Sequence, residues 1–375
     1  MTQAVLKGVR AEPFFGGLRA PRSFDSLASV CYMKKQVRTK SRRHSHMAGN
    51  VDHHNRKITY LRVSVTDRCN LRCIYCVPVK DLKLLKHGDI LSYEEILKVL
   101  HAAIEIGIEK VRLTGGEPLV RRNVAHLVES VCQLPGLKDV SITTNGVHLK
   151  KRAQEIFDAG VHRINVSLDT LNPLKYAKIT GRDQFHDVWE GLQEAEALGF
   201  SPIKVNVVAM RGVNDDELFE FAQLSVRKPY HIRFIEYMPI GQDSQWKPET
   251  YISSDDVKSE LETFGPFHEV PRSTLDGPAE RYQFESARGE MGFISGLSHH
   301  FCPACNRLRL TADGKLRPCL FADDEVDIKT PLRTGCSQED LKGLFEEAIA
   351  RKPRQHHVKS QEKNVGHRPM SAIGG

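Results

Sequence analysis

The feature that most constrains this chain is an alternation. From Leu61 onward, short β-branched runs recur: LRVSVT (61–66), KVRLT (110–114), VSITT (140–144), RINVSL (163–168), IKVNVVAM (203–210) and HIRFIEYM (231–238). Segments of helical periodicity lie between them. In SYEEILKVLHAAIEIG, Ser92 and Glu95 have capping-box spacing, Ile96, Leu97, Leu100 and Ile104 form one apolar stripe, and Gly107 supplies a stop. NVAHLVESVCQL, KKRAQEIFDAG, FHDVWEGLQEAEALGF and DDELFEFAQLSV follow the same logic. Strand–helix units in series demand right-handed crossovers and a parallel sheet. Six units are too few for a closed eight-fold barrel; they fit an open doubly wound sheet or a partial barrel. The alternation stops near residue 240. WKPETYIS, TFGPFHEVPRSTLDGPAE and MGFISG read as an irregular, turn-rich region, followed by a last helix, DLKGLFEEAIAR (340–351). The chain thus divides into 1–56, 57–240 and 241–375.

Charge separates the first of these parts from the rest. The 375 residues carry a formal net charge of +7, but residues 1–50 alone hold ten Lys/Arg against Glu12 and Asp25. The remainder is balanced at −1. The cationic surplus belongs to the tail, so the body is not read as a nucleic-acid binder. Residues 1–56 read as a disordered basic extension. Residues 1–46 are read as a non-native addition, with Met47 a candidate start; the run KKQVRTKSRRHSH (34–46) admits an organellar presequence instead. No stretch approaches the roughly 20 apolar residues of a membrane helix. Nine cysteines, an odd number, in a long chain without a secretory segment argue for a reducing compartment. That compartment is the cytoplasm, or the mitochondrial matrix if the presequence is real.

Catalytic groups of parallel α/β folds lie at the carboxyl ends of strands. After the first run comes TDRCNLRCIYC, after the second GGEP (115–118), and the third ends in TTNG (143–146). Ser167 and Asp169 end the fourth; Lys204 and Asn206 lie on the fifth; Arg233, Glu236 and Met238 belong to the sixth. Cys69, Cys73 and Cys76 suit a [4Fe–4S] cluster with one iron left open. A zinc site completed by His53 or His54 is the alternative, against which the C-x3-C-x2-C spacing speaks. Cys302, Cys305 and Cys319 form a second triplet, for which zinc with His299 or His300 is an even match on spacing alone. Arg307 and Arg309, two apart, share one side of an extended segment and suit phosphate oxygens, or are merely an exposed charged face.

CNLRCIYC and GGEP resemble the signature segments of radical S-adenosylmethionine (SAM) enzymes. Within that superfamily the chain is similar to the GTP 3',8-cyclase branch, which begins molybdenum cofactor biosynthesis. LRVSVTDRC, TGGEPL, TTNG, INVSLD, KVNVV, RFIEYM, FCPACNRLRLTADGKL with Cys319, and the terminal Gly374-Gly375 carry the likeness. Residues 1–56 lie outside it. The resemblance implies a partial (β/α)6 TIM-like barrel with an irregular C-terminal region holding a second iron–sulfur cluster. It implies cluster ligation by Cys69, Cys73 and Cys76, and by Cys302, Cys305 and Cys319. Tyr75, Gly116, Ser167 and Met238 would contact SAM. Arg62, Arg112, Thr143, Lys204, Arg307, Leu308 and Arg309 would contact GTP. Arg233 and Lys110 would join them, or else pair with Glu236 and Glu109. The Gly374-Gly375 tail would reach into the active site.

The implied reaction is removal of the 3' hydrogen of GTP by a SAM-derived radical and attack of the resulting carbon radical on C8. The product is (8S)-3',8-cyclo-7,8-dihydroguanosine 5'-triphosphate, and no residue is assigned as acid or base. A reductant protein, a downstream cyclic pyranopterin monophosphate synthase and a second copy in a homodimer are the implied partners. A peptide-modifying radical SAM enzyme and a metal-bearing electron carrier are the rivals; the Arg307/Arg309 pair and the six-unit body speak against them. Cys31, Cys132 and Cys336 receive no function; Cys132 reads as a small core residue.

Overall fold

A computed structural model describes residues 49–76, 84–241, 245–272, 276–358 and 366–374. Six strands run parallel in chain order: β1 (Tyr60–Ser64), β2 (Lys110–Thr114), β3 (Asp139–Thr144), β4 (Ile164–Ser167), β5 (Ile203–Ala209) and β6 (Tyr230–Glu236). The crossovers carry α1 (Tyr93–Glu105), α2 (Val124–Cys132), α3 (Leu149–Asp158), α4 (Pro173–Thr180), α5 (Phe185–Ala197) and α6 (Leu218–Arg227). The capping box of α1 forms as its spacing requires: Glu95 N donates to Ser92 Oγ at 3.1 Å, and Ser92 N to Glu95 Oε2 at 2.8 Å. The helix then buries Ile96, Val99 and Leu100 against the sheet, with Leu97 and Ile104 at the margin. Helix α4 is additional to the sequence expectation. Asn172 caps it by accepting from Leu174 N at 2.9 Å, ahead of Pro173 in the first turn.

The region beyond residue 240 is more regular than its turn-rich sequence suggests. It holds α7 (Ser254–Glu262), a hairpin of β7 (Phe267–Glu269) and β8 (Glu280–Phe284), then β9 (Glu290–Ile294), which pairs parallel to β6. Further on, β10 (Arg307–Leu310) pairs parallel to β1, followed by antiparallel β11 (Lys315–Arg317) and β12 (Val326–Asp327). Helices α8 (Lys329–Arg333) and α9 (Gln338–Ala350) come last. The strand order β12-β11-β10-β1-β2-β3-β4-β5-β6-β9-β8-β7 makes one sheet. Its middle, from β10 to β9, is parallel throughout, so the boundary expected at 240 falls inside a continuous sheet.

The start of the body also lies earlier than expected. Residues 49–56, read as part of the extension, are folded: Ile58 N donates to Asn50 O at 2.7 Å, and Asp52 and Arg56 form a buried ion pair at 2.6 Å. A polar loop held by an internal ion pair has no apolar periodicity to betray it. The rest of the extension lies outside the described residues.

Alternation along the strands gives the sheet two unlike faces. Leu61, Val63, Val111 and Leu113 are fully buried in the apolar core shared with the helices. On the opposite, inner face Arg309, Arg62, Arg112 and Ser141 lie side by side across four strands. Thr143, Asn165, Lys204 and His231 form a second such row.

Candidate active site

The first cysteine triplet occupies the loop that leaves the carboxyl end of β1. Cys76 N donates to Cys73 O at 3.0 Å, so the triplet closes on a tight turn. Leu71 N donates to Cys69 Sγ at 3.4 Å and Asn145 Nδ2 at 3.6 Å. Burial pushes the thiols of Cys69 and Cys73 up, and that of Cys76 to about 12. The neighbouring thiols and Asp169 push Cys73 and Cys76 the same way. Such thiols ionise only against a bound cation, and this donor set fits an iron–sulfur cluster. Among the described residues no three His, Cys, Asp or Glu side chains are grouped to hold a single metal ion. His53 and His54 are exposed, and His299 is turned to Asp255 at 2.6 Å.

The GGEP turn after β2 locks onto this loop. Gly116 N donates to Thr66 O at 2.6 Å and Glu117 N to Arg68 O at 2.7 Å. A Cβ on Gly116 would stand 2.3 Å from Arg68 O, so the glycine is needed for backbone-to-backbone contact with the cysteine loop itself. Buried Glu117 accepts from Leu119 N at 2.9 Å, Thr144 Oγ1 at 2.8 Å and Asn145 N at 2.6 Å, tying the β2 and β3 turns together. Burial raises its carboxyl to about 7 despite these donors. Tyr75 donates to Asp169 Oδ2 at 2.7 Å, and burial lifts Asp169 to about 6. Ser167 ends β4, and Met238, just past β6, packs so closely on Gly296 that a Cβ there would lie 2.5 Å from its Sδ. Cys69, Cys73, Cys76, Gly116, Ser167 and Met238 therefore sit at the carboxyl ends of β1, β2, β4 and β6, on one rim. Sequence reasoning passed over Glu117 and Asn145 as fasteners of that rim; their only signal was membership of GGEP and TTNG.

The inner face below the rim is a cation store. Arg62, Arg112, Arg233 and Arg309 are each no more than 8% exposed, and Lys204 is half-buried beside them. Arg112 Nε donates to Ser141 Oγ at 3.2 Å and Arg233 Nη2 to Asn165 Oδ1 at 2.5 Å. None of the five makes an ion pair with a carboxylate among the described residues. Burial lowers Arg62 to about 10 and Arg233 to about 9, and burial with the charges of Arg233 and Arg112 lowers Lys204 to about 6. Thr143 Oγ1, Asn206 Oδ1 and Arg233 Nε are buried without a hydrogen-bond partner. Lys110 pairs with Asp139 at 2.6 Å, Glu109 pairs with Lys138, and Glu236 accepts from Leu297 N and Ser254 N, so neither ion pair considered from sequence forms. Alternation turns the fully buried side chain of Leu308 into the apolar core, away from Arg307 and Arg309, which leaves its backbone for a ligand on the inner face.

The second triplet breaks the carboxyl-end rule. Cys302 and Cys305 precede β10, and Cys319 follows the antiparallel β11, so all three gather at the amino end of the parallel strands. Strand β1 rises about 3.3 Å per residue, so its five residues separate the two ends by roughly 17 Å. The cations lie between. Burial opposes ionisation of Cys305, but the charges of Arg307 and Lys352 bring it down to about 6. The Arg307 guanidinium also stands over the Phe301 ring at 4.7 Å. An open cavity of about 170 Å³ adjoins Cys305, Arg307 and Phe301.

The last described residues reach the inner face of the sheet, at Arg62 and Arg309. Gly374 O accepts from Arg309 Nη1 at 2.6 Å and from Arg62 Nε at 3.4 Å. Gly374 has φ +71, and a Cβ on it would lie 3.1 Å from Thr114 Cγ2 and 3.2 Å from Ser64 Cβ. Arg368, on Asp313 at 3.0 Å and Glu325 at 2.9 Å, anchors this segment. Gly375 lies outside the described residues.

Comparison with known proteins accords with this geometry. Residues 63–225 match the Radical SAM superfamily, and residues 230–358 match Molybdenum Cofactor Synthesis C. A crystal structure of Streptococcus suis SuiB bound to S-adenosylmethionine shares the fold, with a TM-score of 0.53 at 16% identity, over 71% of this chain and 62% of SuiB. A GTP 3',8-cyclase of Thermodesulfovibrio yellowstonii is 49% identical over 328 residues, 86% of this chain and 99% of the relative. That of Desulforamulus reducens is 47% identical over 326 residues, covering 87% of this chain and all of the relative. The architecture is that of radical SAM enzymes. The chain belongs to the GTP 3',8-cyclase family.

Proposed function

We propose that the inner face of the sheet binds GTP, and that the enzyme converts it to (8S)-3',8-cyclo-7,8-dihydroguanosine 5'-triphosphate, the first step of molybdenum cofactor biosynthesis. The observation that carries this reading is the set of five basic side chains, Arg62, Arg112, Lys204, Arg233 and Arg309, held largely out of water with no carboxylate paired to them among the described residues. Burying unpaired charge is costly, and a triphosphate offsets it. Cys69, Cys73 and Cys76 would hold a [4Fe–4S] cluster, which with SAM supplies the one-electron chemistry. The protein's own part is to position and to shield. Tyr75, Gly116, Ser167 and Met238 shape the SAM end; Arg307, Arg309, Arg62, Arg112, Lys204 and Thr143 orient the nucleotide; Gly374 helps to close the site against water.

Cys302, Cys305 and Cys319 would hold a second [4Fe–4S] cluster facing the purine. The same reading calls for a reductant protein, a cyclic pyranopterin monophosphate synthase downstream, a homodimer, and residence in the cytoplasm, or in the mitochondrial matrix if residues 1–46 act as a presequence. No helix among the described residues is long and apolar enough to cross a membrane. Anaerobic turnover with GTP deuterated at C3' tests the assignment. Deuterium in the 5'-deoxyadenosine formed is the expected result; unlabelled 5'-deoxyadenosine with intact GTP would overturn the choice of substrate.

A further inference from the structure

Lys352 is a buried ammonium that the reaction does not account for. It lies just past α9, is 4% exposed, and makes no ion pair with a carboxylate among the described residues. Its Nζ donates instead to two carbonyls: Pro318 O at 2.7 Å, in the residue before Cys319, and Arg307 O at 2.8 Å, two residues after Cys305. The two chain segments that carry Cys305 and Cys319 are thus pinned by one cation. A second buried cation serves the third cysteine. Arg56 donates to Cys302 O at 2.8 Å and, through its other nitrogen, to Pro353 O at 2.7 Å, the residue after Lys352. Arg56 is neutralised by Asp52 at 2.6 Å, whereas Lys352 is not neutralised by any acid among the described residues.

We propose that Lys352 is a positioning residue for the group held by Cys302, Cys305 and Cys319: it fastens the backbone on both sides of that group, and its charge raises the group's reduction potential. The inference rests on the second-cluster reading. The reduced form carries one more negative charge than the oxidised form, so a cation at close range in a poorly solvated site favours reduction. Hydrogen bonds and charges just outside the ligands are the protein's means of setting such potentials.

Redox titration of the reconstituted holoenzyme, followed by electron paramagnetic resonance, tests this in the wild type, Lys352→Gln and Lys352→Arg. Glutamine keeps a donor for the carbonyls and removes the charge; arginine keeps both. The signal perturbed by added SAM marks the first triplet and serves as internal reference. The expected result is a more negative potential for the other signal in Lys352→Gln, severalfold less of it reduced at a fixed potential, with the reference unchanged and Lys352→Arg near wild type. Loss of the second signal in Lys352→Gln but not in Lys352→Arg also favours the charge. An unchanged potential in Lys352→Gln, equal shifts of both signals, or loss in both variants overturns the proposal. Iron content separates this from failure of the premise: roughly four iron atoms per wild-type chain, rather than about eight, removes the second cluster itself.

Discussion

Replacing Gly116 by alanine would put a methyl group 2.3 Å from the carbonyl oxygen of Arg68, 2.5 Å from its carbonyl carbon and 2.8 Å from Asp67 O. All three are backbone atoms, so no side chain can swing aside. Ordinary contact begins near 3.4 Å, and the loop must therefore retreat by about 1 Å for the overlap to be relieved. Two hydrogen bonds resist that retreat, Gly116 N to Thr66 O at 2.6 Å and Glu117 N to Arg68 O at 2.7 Å. Losing them costs about 1 kcal/mol each. The sheet survives a loss of that size, but Cys69, the very next residue, does not keep its place. A displacement of about 1 Å at a reacting centre is worth on the order of a hundredfold in rate. Gly116→Ala should thus lower 5'-deoxyadenosine formation by about that factor and weaken the SAM-perturbed resonance, while the second signal and the unfolding transition stay close to wild type. Gly116 conventionally invites a ligand-contact explanation, under which affinity for SAM falls and the first cluster is untouched. A Gly116→Ala enzyme with a wild-type first-cluster signal would refute displacement of the cysteine loop as the cause.

Two further outcomes concern protons. Lys204 is held near 6 by burial and by Arg233 and Arg112, so it is largely neutral in the free protein at pH 7.5. A polyanion among these residues restores its charge, so GTP binding should take up as much as about one proton through Lys204 at that pH, and affinity should fall as pH rises. Calorimetry in buffers of different ionisation enthalpy measures the uptake; an equal uptake in Lys204→Met would sink the assignment. Glu117 is raised by burial from 4.5 to about 7, so between these values the native state binds a proton that the unfolded chain does not. Stability then falls as pH climbs through that window, by up to ~3 kcal/mol over its full width. Denaturant midpoints of the holoenzyme at pH 6 and pH 8 should show the decline, and Glu117→Gln should flatten it.

The sequence declares the parts whose logic is local. The capping box of Ser92 and Glu95, the stop at Gly107 and the six β-branched runs each depend on neighbours within a few residues, and all appear where expected. Strands β9 and β10 depend on partners far away. Within MGFISG the strand lies amid glycines, and RLRL reads equally as a charged surface ribbon until β1 is known to lie beside it. The same distance hides the fate of Lys110, whose adjacent Glu109 looks like a natural partner. In a strand, neighbours in sequence face opposite sides, and the acid that meets Lys110 is Asp139 on the next strand. The side chain of Leu308 is hidden for the same reason: a run of three motif residues includes one whose side chain must point into the core. The cysteines are legible because their spacing is itself the signal, but nothing in that spacing tells which end of the barrel a triplet occupies. Lys352 and Arg56 give no sign at all, since a lone basic residue far from the cysteines looks like surface until the chain is folded.

The pairing of β1 with β10 sets an order for biosynthesis. Tyr60 meets Arg307, so one edge of the first strand made waits for a partner nearly 250 residues later. At ribosomal speeds of about 5–20 residues per second, that wait lasts on the order of tens of seconds. Meanwhile β2 can cover the other edge, and the crossover helices can bury the outer face. The first triplet, directly after β1, exists throughout this interval, whereas Cys319 and the Gly374 tail emerge only after it. Nascent chains therefore pass through a stage with one cysteine set displayed, an open strand edge beside it and the inner cations bare to water. A metallocentre installed then would sit in a solvent-washed half-structure. Loading after release, into a body already closed by β10 and its following hairpin, is the route that the topology protects.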